Sequence, residues 1–312
     1  MRIAVGLIQA ILLLLIAPLV RGVISQLKAR IQNRCGASIL RPYRDLLKLF
    51  RKEDLAPPSA SALFRVAPVV VLVATMIATL LVPVLQDSAV ISMGGDIVLL
   101  VYFLALARFF LMLGGFDGGS SFGGMGASRE ALVSTLAEAP LLLGLSALAI
   151  FARTTSISGV TQWTAQQGAT QFTAVQALAL VALVLVAIAE TGRIPVDNPT
   201  THLELTMIHE AMVLEYSGPS LAFIELASAL KLTLISALLI NLFVPWGIAA
   251  ELSLSAIAIA GIAFVLKMLA VVGGIALIES GVAKLRMYLV PDFLGVSLAL
   301  SLLAIVFAGL AR

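Results

Sequence analysis

The sequence predicts an all-α integral membrane protein with about eight transmembrane helices. Of its 312 residues 61% are hydrophobic and 12% are charged, about half the ~25% charge of an ordinary soluble domain. The apolar residues gather in runs close to the ~20 residues that a helix needs to cross a bilayer. Because lipid offers no partner to an unpaired backbone group, these runs are expected to be helices.

The apolar runs extend along the whole of residues 1–312, which are therefore expected to form one transmembrane domain with no additional soluble domain. The first run lacks an A-x-A cleavage motif, which favours a span over a signal peptide. The eight expected spans are 3–20, 64–85, 97–113, 131–151, 175–189, 221–244, 252–278 and 293–310.

Lysine and arginine fall on alternate loops, which predicts the orientation of the spans. Residues 21–57 carry nine of them, whereas 86–95 and 245–251 carry none. We therefore expect both termini outside. The expected inner surfaces are 21–63, 114–130, 190–220 and 279–292.

The first inner loop contains RPYRDLLKLF, residues 41–50, whose pattern predicts an amphipathic surface helix. Its apolar side chains at i, i+3, i+4 and i+7 are Tyr43, Leu46, Leu47 and Phe50. Such a helix can seat in the membrane surface, present a basic shelf to a docked subunit, or do both. The candidate docking cations are Arg41, Arg44 and Lys48.

The second inner segment, residues 114–130, is rich in glycine and is expected to be a tight, shaped loop under a partner. It lacks the G-x-x-x-x-G-K-[ST] order of a phosphate-binding loop.

Several ionisable residues fall within the expected spans, where each charge costs ~2.5–3.5 kcal/mol. These residues are Arg108, Glu138, Glu225, Lys231 and Lys267, and Glu190 closes the fifth span. One interpretation is structural ion pairing, for example Arg108 with Glu138. The other is a hydrated proton relay through Glu138, Glu190 and Glu225, with the two lysines toward the centre.

Residues 190–218, here called the acidic loop, form a polar segment between two apolar runs and contain both histidines of the chain. Asn198 before Pro199 predicts the start of a helix over 199–214. His202 and His209 are seven residues apart, which is not the spacing of a zinc helix; no metal site is expected. They are expected to bond a partner or titrate. Alternatively, this helix only seats another subunit.

Four stretches carry a family resemblance: RPYRDLLKLF, GASRE at 126–130 followed by Glu138, E-x-x-R-I-P-V-D at 190–197, and EYSG at 215–218. On these residues the chain resembles a membrane subunit shared by two kinds of complex. One is respiratory complex I, where it is subunit 1 beside the quinone chamber. The other comprises energy-converting membrane-bound NiFe-hydrogenases, including formate hydrogenlyase subunit 4.

The resemblance implies partners: a hydrogenase-like large subunit and an iron–sulfur small subunit on the cytoplasmic face, and antiporter-like subunits in a prokaryotic inner membrane. Iron–sulfur clusters and the NiFe centre would belong to partners, since Cys35 alone cannot hold a cluster; no nucleic acid is implied. Arg193, His202 and His209 would face the docked module, and Arg193 would tune nearby acids. By position, the coupling carboxylates would be Glu138, Glu190, Asp197, Glu204, Glu210 and Glu215.

The residues after Asp197, NPTTHLELTMIHEAMVL, favour the hydrogenase branch. They lack the denser run of acids of the complex I type, and the formate hydrogenlyase form is also closer to that run. The alternative is the quinone-site subunit of a complex I-like NADH dehydrogenase. A stand-alone transporter would be expected to show inverted halves with broken helices, and the sequence shows no such pairing.

Overall fold

The chain forms a bundle of helices in a computed structural model. The structure describes residues 2–168, 172–197, 207–249 and 253–310, without the side chains of residues 2–4 and 254. A 3-10 turn at Met287–Leu289 precedes the last helix. Within the described ranges the α-helices are α1 (Arg2–Ile31), α2 (Arg41–Phe50), α3 (Ala62–Leu81), α4 (Asp96–Asp117), α5 (Ser121–Ala152), α6 (Ile157–Gln167), α7 (Ala174–Glu190), α8 (His209–Val213), α9 (Gly218–Phe243), α10 (Leu254–Gly281) and α11 (Val290–Leu310).

Seven of these helices are long and apolar enough to cross a membrane: α1, α3, α4, α5, α9, α10 and α11. The predicted all-α membrane fold is confirmed. The fifth expected span corresponds to α7, which has 17 residues and is ~26 Å long against a hydrocarbon core of ~30 Å. The count of eight spans therefore stays a prediction.

α9 is the central helix of the bundle and α10 is peripheral. Of the most apolar stretch of α9, 67% is buried, against 22% for α10. α9 packs against α1, α3 and α2, whereas α10 rests mainly on α1. The other side of the bundle is built from α4, α5, α7 and α11. The two sides meet where α7 packs against α9.

The predicted glycine-rich loop over 114–130 is wrong, because α4 and α5 run through most of it. Only residues 118–120 lie between the two helices. The glycines serve packing: a Cβ on Gly126 would lie 2.8 Å from the Ala211 Cβ and 2.9 Å from the Ile208 carbonyl oxygen. Their missing side chains let α8 approach the start of α5 closely.

The predicted surface helix is present as α2, and it lies against α9 and α1. Phe50 meets Phe223 of α9 edge to face, with ring centroids 5.6 Å apart. Leu46 and Leu49 line the cavity between α2, α1 and α9. Leu47 and Phe50 are 58% and 42% exposed on the chain by itself, so the seating of this apolar side in the membrane surface stays a prediction.

The EYSG stretch anchors the segment that follows α2. The Ser217 side chain accepts a hydrogen bond from the Leu55 backbone N–H at 2.9 Å and donates one to the Leu55 carbonyl oxygen at 3.1 Å. Gly218 has a φ of +49°, and a Cβ there would collide with the Glu53 carbonyl oxygen. This part of the motif therefore positions α2 on the bundle.

Candidate functional site

The short helix α7 ends inside the bundle, and its last residue is Glu190. The Glu190 side chain is 0% exposed. One carboxylate oxygen pairs with the Arg108 guanidinium of α4, and the other lies 2.9 Å from the Lys231 ammonium of α9. Arg108 stands nine residues before the end of α4, ~14 Å along the helix axis. α4 extends four residues beyond the expected end of its span at residue 113.

Arg108 connects Glu190 to a second acid nearer the surface of the bundle. Its other guanidinium nitrogen donates to Glu138 at 2.9 Å, and the Glu138 side chain is 43% exposed. Glu138 opens on a groove of about 570 Å³ between α4 and α5. Glu138, Arg108, Glu190 and Lys231 therefore form a neutral set of two acids and two bases, here called the central network.

The central network borders a cavity of about 80 Å³ that reaches toward the acidic loop. A polar cavity of this volume has room for several waters, each of which needs two to four polar partners. The ionisable residues around the cavity include Arg108, Glu190, Lys231, Asp197, His209 and Glu210. Water in the cavity could bridge the central network to the acidic loop.

Asp197 joins the acidic loop to two other elements. One carboxylate oxygen accepts from the Lys284 ammonium at 2.8 Å, and the other accepts from the His209 backbone N–H at 3.2 Å. The second bond ties Asp197 to the first residue of α8. The carboxylate is buried, so both contacts lie inside the protein.

The predicted helix over 199–214 is wrong at Met207 and Ile208, which are not helical. The Arg129 guanidinium donates to the Met207 carbonyl oxygen at 2.8 Å. The hydrogen bond that Asp197 accepts from the His209 backbone N–H lies at the start of the helix. Residues 198–206 lie outside the described residues, and with them His202 and Glu204.

A second buried carboxylate, Glu279, lies near the C-terminal end of α10, and its side chain is 2% exposed. It lies 3.2 Å from the Lys28 ammonium and 2.9 Å from the Arg193 guanidinium. Burial lowers the pKa of Arg193, and the nearby Arg21 lowers it further, while the Glu279 carboxylate opposes both. Arg193 therefore turns inward, and its predicted docking role stays a prediction.

Sequence reasoning missed Glu279 and three cations that pair with acids here, Arg21, Lys28 and Lys284. Glu279 is overlooked because it comes one residue after the expected end of its span, although an acid directly attached to an apolar run is a usable signal. Arg21 pairs with Glu225 of α9. Because α1 continues to Ile31, Arg21 lies in a helix and not in the expected loop.

The remaining candidates lie apart from the central network. Glu225 belongs to the separate pair with Arg21, and Glu215 is exposed. Lys267 is half-buried on the peripheral helix α10. The predicted docking cations are all exposed on α2: Arg41, Arg44 and Lys48. Their roles stay predictions.

The fold and the site define a multi-pass helical membrane protein with a charged interior. The profile of the NADH dehydrogenase family matches residues 3–309. Hydrogenase-4 component C of Escherichia coli K12 is 35% identical over 302 residues, which cover 97% of this chain and 94% of that protein. Formate hydrogenlyase subunit 4 of the same organism is 32% identical over 310 residues, which cover 98% of each.

The chain therefore belongs to the NADH dehydrogenase subunit 1 family, and the resemblance drawn from its four stretches is confirmed. A chain in the structure of the membrane-bound sulfane sulfur reductase, an archaeal respiratory membrane complex, has the same fold. It aligns with a TM-score of 0.84 at 20% identity and covers 99% of this chain and 100% of that one.

Proposed function

We propose that this chain is the membrane subunit of an energy-converting NiFe-hydrogenase-type complex in a prokaryotic cytoplasmic membrane. Its inner face docks the cytoplasmic redox module, and its interior couples electron transfer to translocation of protons or sodium ions. The relatives named for hydrogenase-4 and formate hydrogenlyase support this branch of the family. Both termini face outward in this proposal.

The observation that carries the proposal is the central network, in which one arginine serves two acids. Arg108 contacts both Glu190 and Glu138. Unit charges 4 Å apart interact by ~4 kcal/mol at an effective dielectric constant of ~20. A proton on either acid would therefore release Arg108 toward the other acid. This coupling would link the loading of Glu138 to the state of Glu190.

The acidic loop would bring the redox signal to this network. An electron arriving in a docked iron–sulfur subunit adds negative charge near the inner face. That charge favours protonation of acids such as Asp197 and Glu210, which border the same cavity as Glu190. The iron–sulfur clusters and the NiFe centre would lie in partner subunits, docked partly on the exposed cations of α2.

At its other end, the central network would meet a neighbouring membrane subunit. Glu138 is half-exposed in a groove lined mostly by apolar side chains of α4 and α5. A carboxylate left facing lipid at this depth is costly, so an antiporter-like subunit is expected to cover it and receive the ion.

Glutamine variants at the three acids test the proposal in the assembled complex. Glu138→Gln, Glu190→Gln and Glu210→Gln each keep the shape of the side chain but cannot carry a carboxyl proton. We expect the complex to assemble and to retain electron transfer, at a normal or reduced rate. Ion uptake into membrane vesicles per electron transferred should fall, as measured with a pH-sensitive dye and with radioactive sodium.

Asp292→Asn is the matched control, because Asp292 is exposed at the start of α11. It should leave both electron transfer and ion uptake unchanged. Normal ion uptake in all three glutamine variants would instead make the pairs purely structural.

A cavity of about 430 Å³ between α1, α2 and α9 favours a second candidate, a quinone-site subunit. It combines apolar side chains such as Leu46 and Leu221 with the Arg21–Glu225 pair. This candidate predicts quinone in the purified complex and inhibition of turnover by quinone-site inhibitors. This candidate would be excluded if turnover did not depend on quinone and was not reduced by quinone-site inhibitors.

A further inference from the structure

The groove between α7, α9 and α10 contains a cation that the proposed coupling does not use. We propose that this groove docks a transmembrane helix of a neighbouring membrane subunit, and that this helix carries an aspartate or glutamate that pairs with Lys267. The inference rests on the proposed function, because it needs a multi-subunit membrane complex.

The groove exists because α10 packs mainly against α1. The faces of α7 and α9 that are next to α10 are therefore left uncovered. Its volume is about 370 Å³ and its lining is almost wholly apolar. Leu180 and Val184 of α7 and Leu239 of α9 contribute to its lining. Little of α10 is covered: 22% of its most apolar stretch is buried.

Lys267 lies near the middle of α10, 13 residues after Leu254 and 14 before Gly281. It is thus ~20 Å along the helix from either end, in the costliest part of a bilayer for a cation. Within the described ranges no acid lies within ion-pair distance of Lys267, whereas Arg108 and Lys231 each have a partner. The missing counter-charge is expected to come from another chain.

A membrane helix fits this position better than a lipid headgroup. Headgroup phosphates begin ~15 Å from the centre of a hydrocarbon core ~30 Å thick, beyond the reach of a lysine at mid-depth. Ala270 and Gly274 line the same groove four residues apart, and a Cβ on Gly274 would meet nothing within 4 Å. Small residues at this spacing allow a second helix to approach closely.

Photo-crosslinking in the purified complex tests the occupant. A benzoylphenylalanine at Ala270 lies in the groove. The same group at Leu269, which is 48% exposed, points ~100° away on the helix. We expect the Ala270 position to give an adduct that peptide mapping assigns to a transmembrane segment with an acidic residue. The Leu269 position should not give that adduct.

The proposal would be overturned if the Ala270 position crosslinked to lipid alone, crosslinked to a second copy of this chain, or gave no adduct. Charge variants supply an independent measurement. Lys267→Glu should reduce recovery of the complex about tenfold, equivalent to 1.4 kcal/mol. Lys267→Met keeps an apolar side chain suited to the groove and should cost less.

Equal recovery for the two Lys267 variants would also contradict the pairing. Failure here is distinguishable from failure of the proposed function. If the groove gives no protein adduct while Glu190→Gln still reduces ion uptake, only the docking surface is wrong. If Glu190→Gln leaves ion uptake normal while the adduct forms, only the coupling role is wrong.

Discussion

Glu190 and Glu279 are two buried carboxylates with similar surroundings and different consequences. Each side chain is at most 2% exposed, and each lies between two cations. The cations around Glu190 include Arg108, which continues to a second acid, whereas the structure gives Lys28 and Arg193 no further carboxylate partner among the described residues. The cavity beside the central network is lined by Glu190 itself, whereas it meets the Glu279 cluster only through Arg193. A buried carboxylate can therefore be part of a path or an end point, depending on what its cation contacts next.

The energetics support this distinction. A buried ion pair gains little net stability because desolvation offsets its attraction, but removal of one partner is costly. The central network is therefore expected to contribute little net stability to the fold. We expect the central network to serve the proposed coupling, and Glu279 to join α1, α10 and the acidic loop.

The largest expected effect comes from Arg108→Met, which leaves two acids without their shared cation. We expect a loss of about 3–5 kcal/mol of stability, the usual result of breaking a buried pair from one side. Thermal unfolding of the purified chain in detergent measures the loss. Arg65→Met is the control, since Arg65 is exposed on α3, and an equal change in both variants would contradict the burial argument.

Glu279→Gln tests the other half of the comparison. It keeps the shape but removes the charge that faces Lys28 and Arg193, and the loss of charge-assisted bonds should cost about 1.5–3 kcal/mol. Because Glu279 is an end point, ion uptake per electron should remain normal, unlike that of Glu190→Gln. Uptake that falls equally in both variants would break the comparison.

Gly126→Ala moves the acidic loop without changing any charge. The added Cβ would press on Ala211 and the Ile208 carbonyl oxygen, and overpacking of this kind costs about 1–3 kcal/mol. We expect lower stability and slower coupled turnover, because α8 carries His209 and Glu210. Gly124→Ala should be tolerated, since its Cβ would meet only Phe116, 4.0 Å away.

The smallest effect is expected at the surface pair of Arg41 and Asp45, which are 3.5 Å apart and both exposed. Asp45→Asn should change stability by less than about 1 kcal/mol, as exposed pairs usually do. Thermal unfolding at low and high salt checks this. A loss as large as that of Glu279→Gln would mean that burial does not separate the two kinds of pair.

Part of the site was predictable because charge inside apolar runs is conspicuous. Arg108, Glu138, Glu190 and Lys231 all stand out from the sequence, and the structure brings them together. Glu225 and Lys267 stand out equally, yet they lie elsewhere. Hydropathy reports that a residue is at membrane depth, but it carries no information about which neighbouring helix it faces.

The errors have one physical origin. Glycine-rich residues 114–130 suggest a loop because isolated glycine weakens a helix, but close packing with α8 outweighs that local preference. The predicted helix beyond Asp197 is wrong at Met207 and Ile208 because contacts with Asp197 and Arg129 determine where α8 starts. In both cases a distant side chain overrides a local tendency.

The sequence by itself determined that this chain is a helical membrane protein, where its apolar segments lie, and to which family it belongs. These properties follow from composition, length and order along the chain. Only the tertiary structure decided that Arg108 bridges two acids, that Glu279 joins α10 to α1, and that Lys267 is left at an open groove. Such pairings depend on how helices rotate and pack against one another, which the balance of all their contacts determines together.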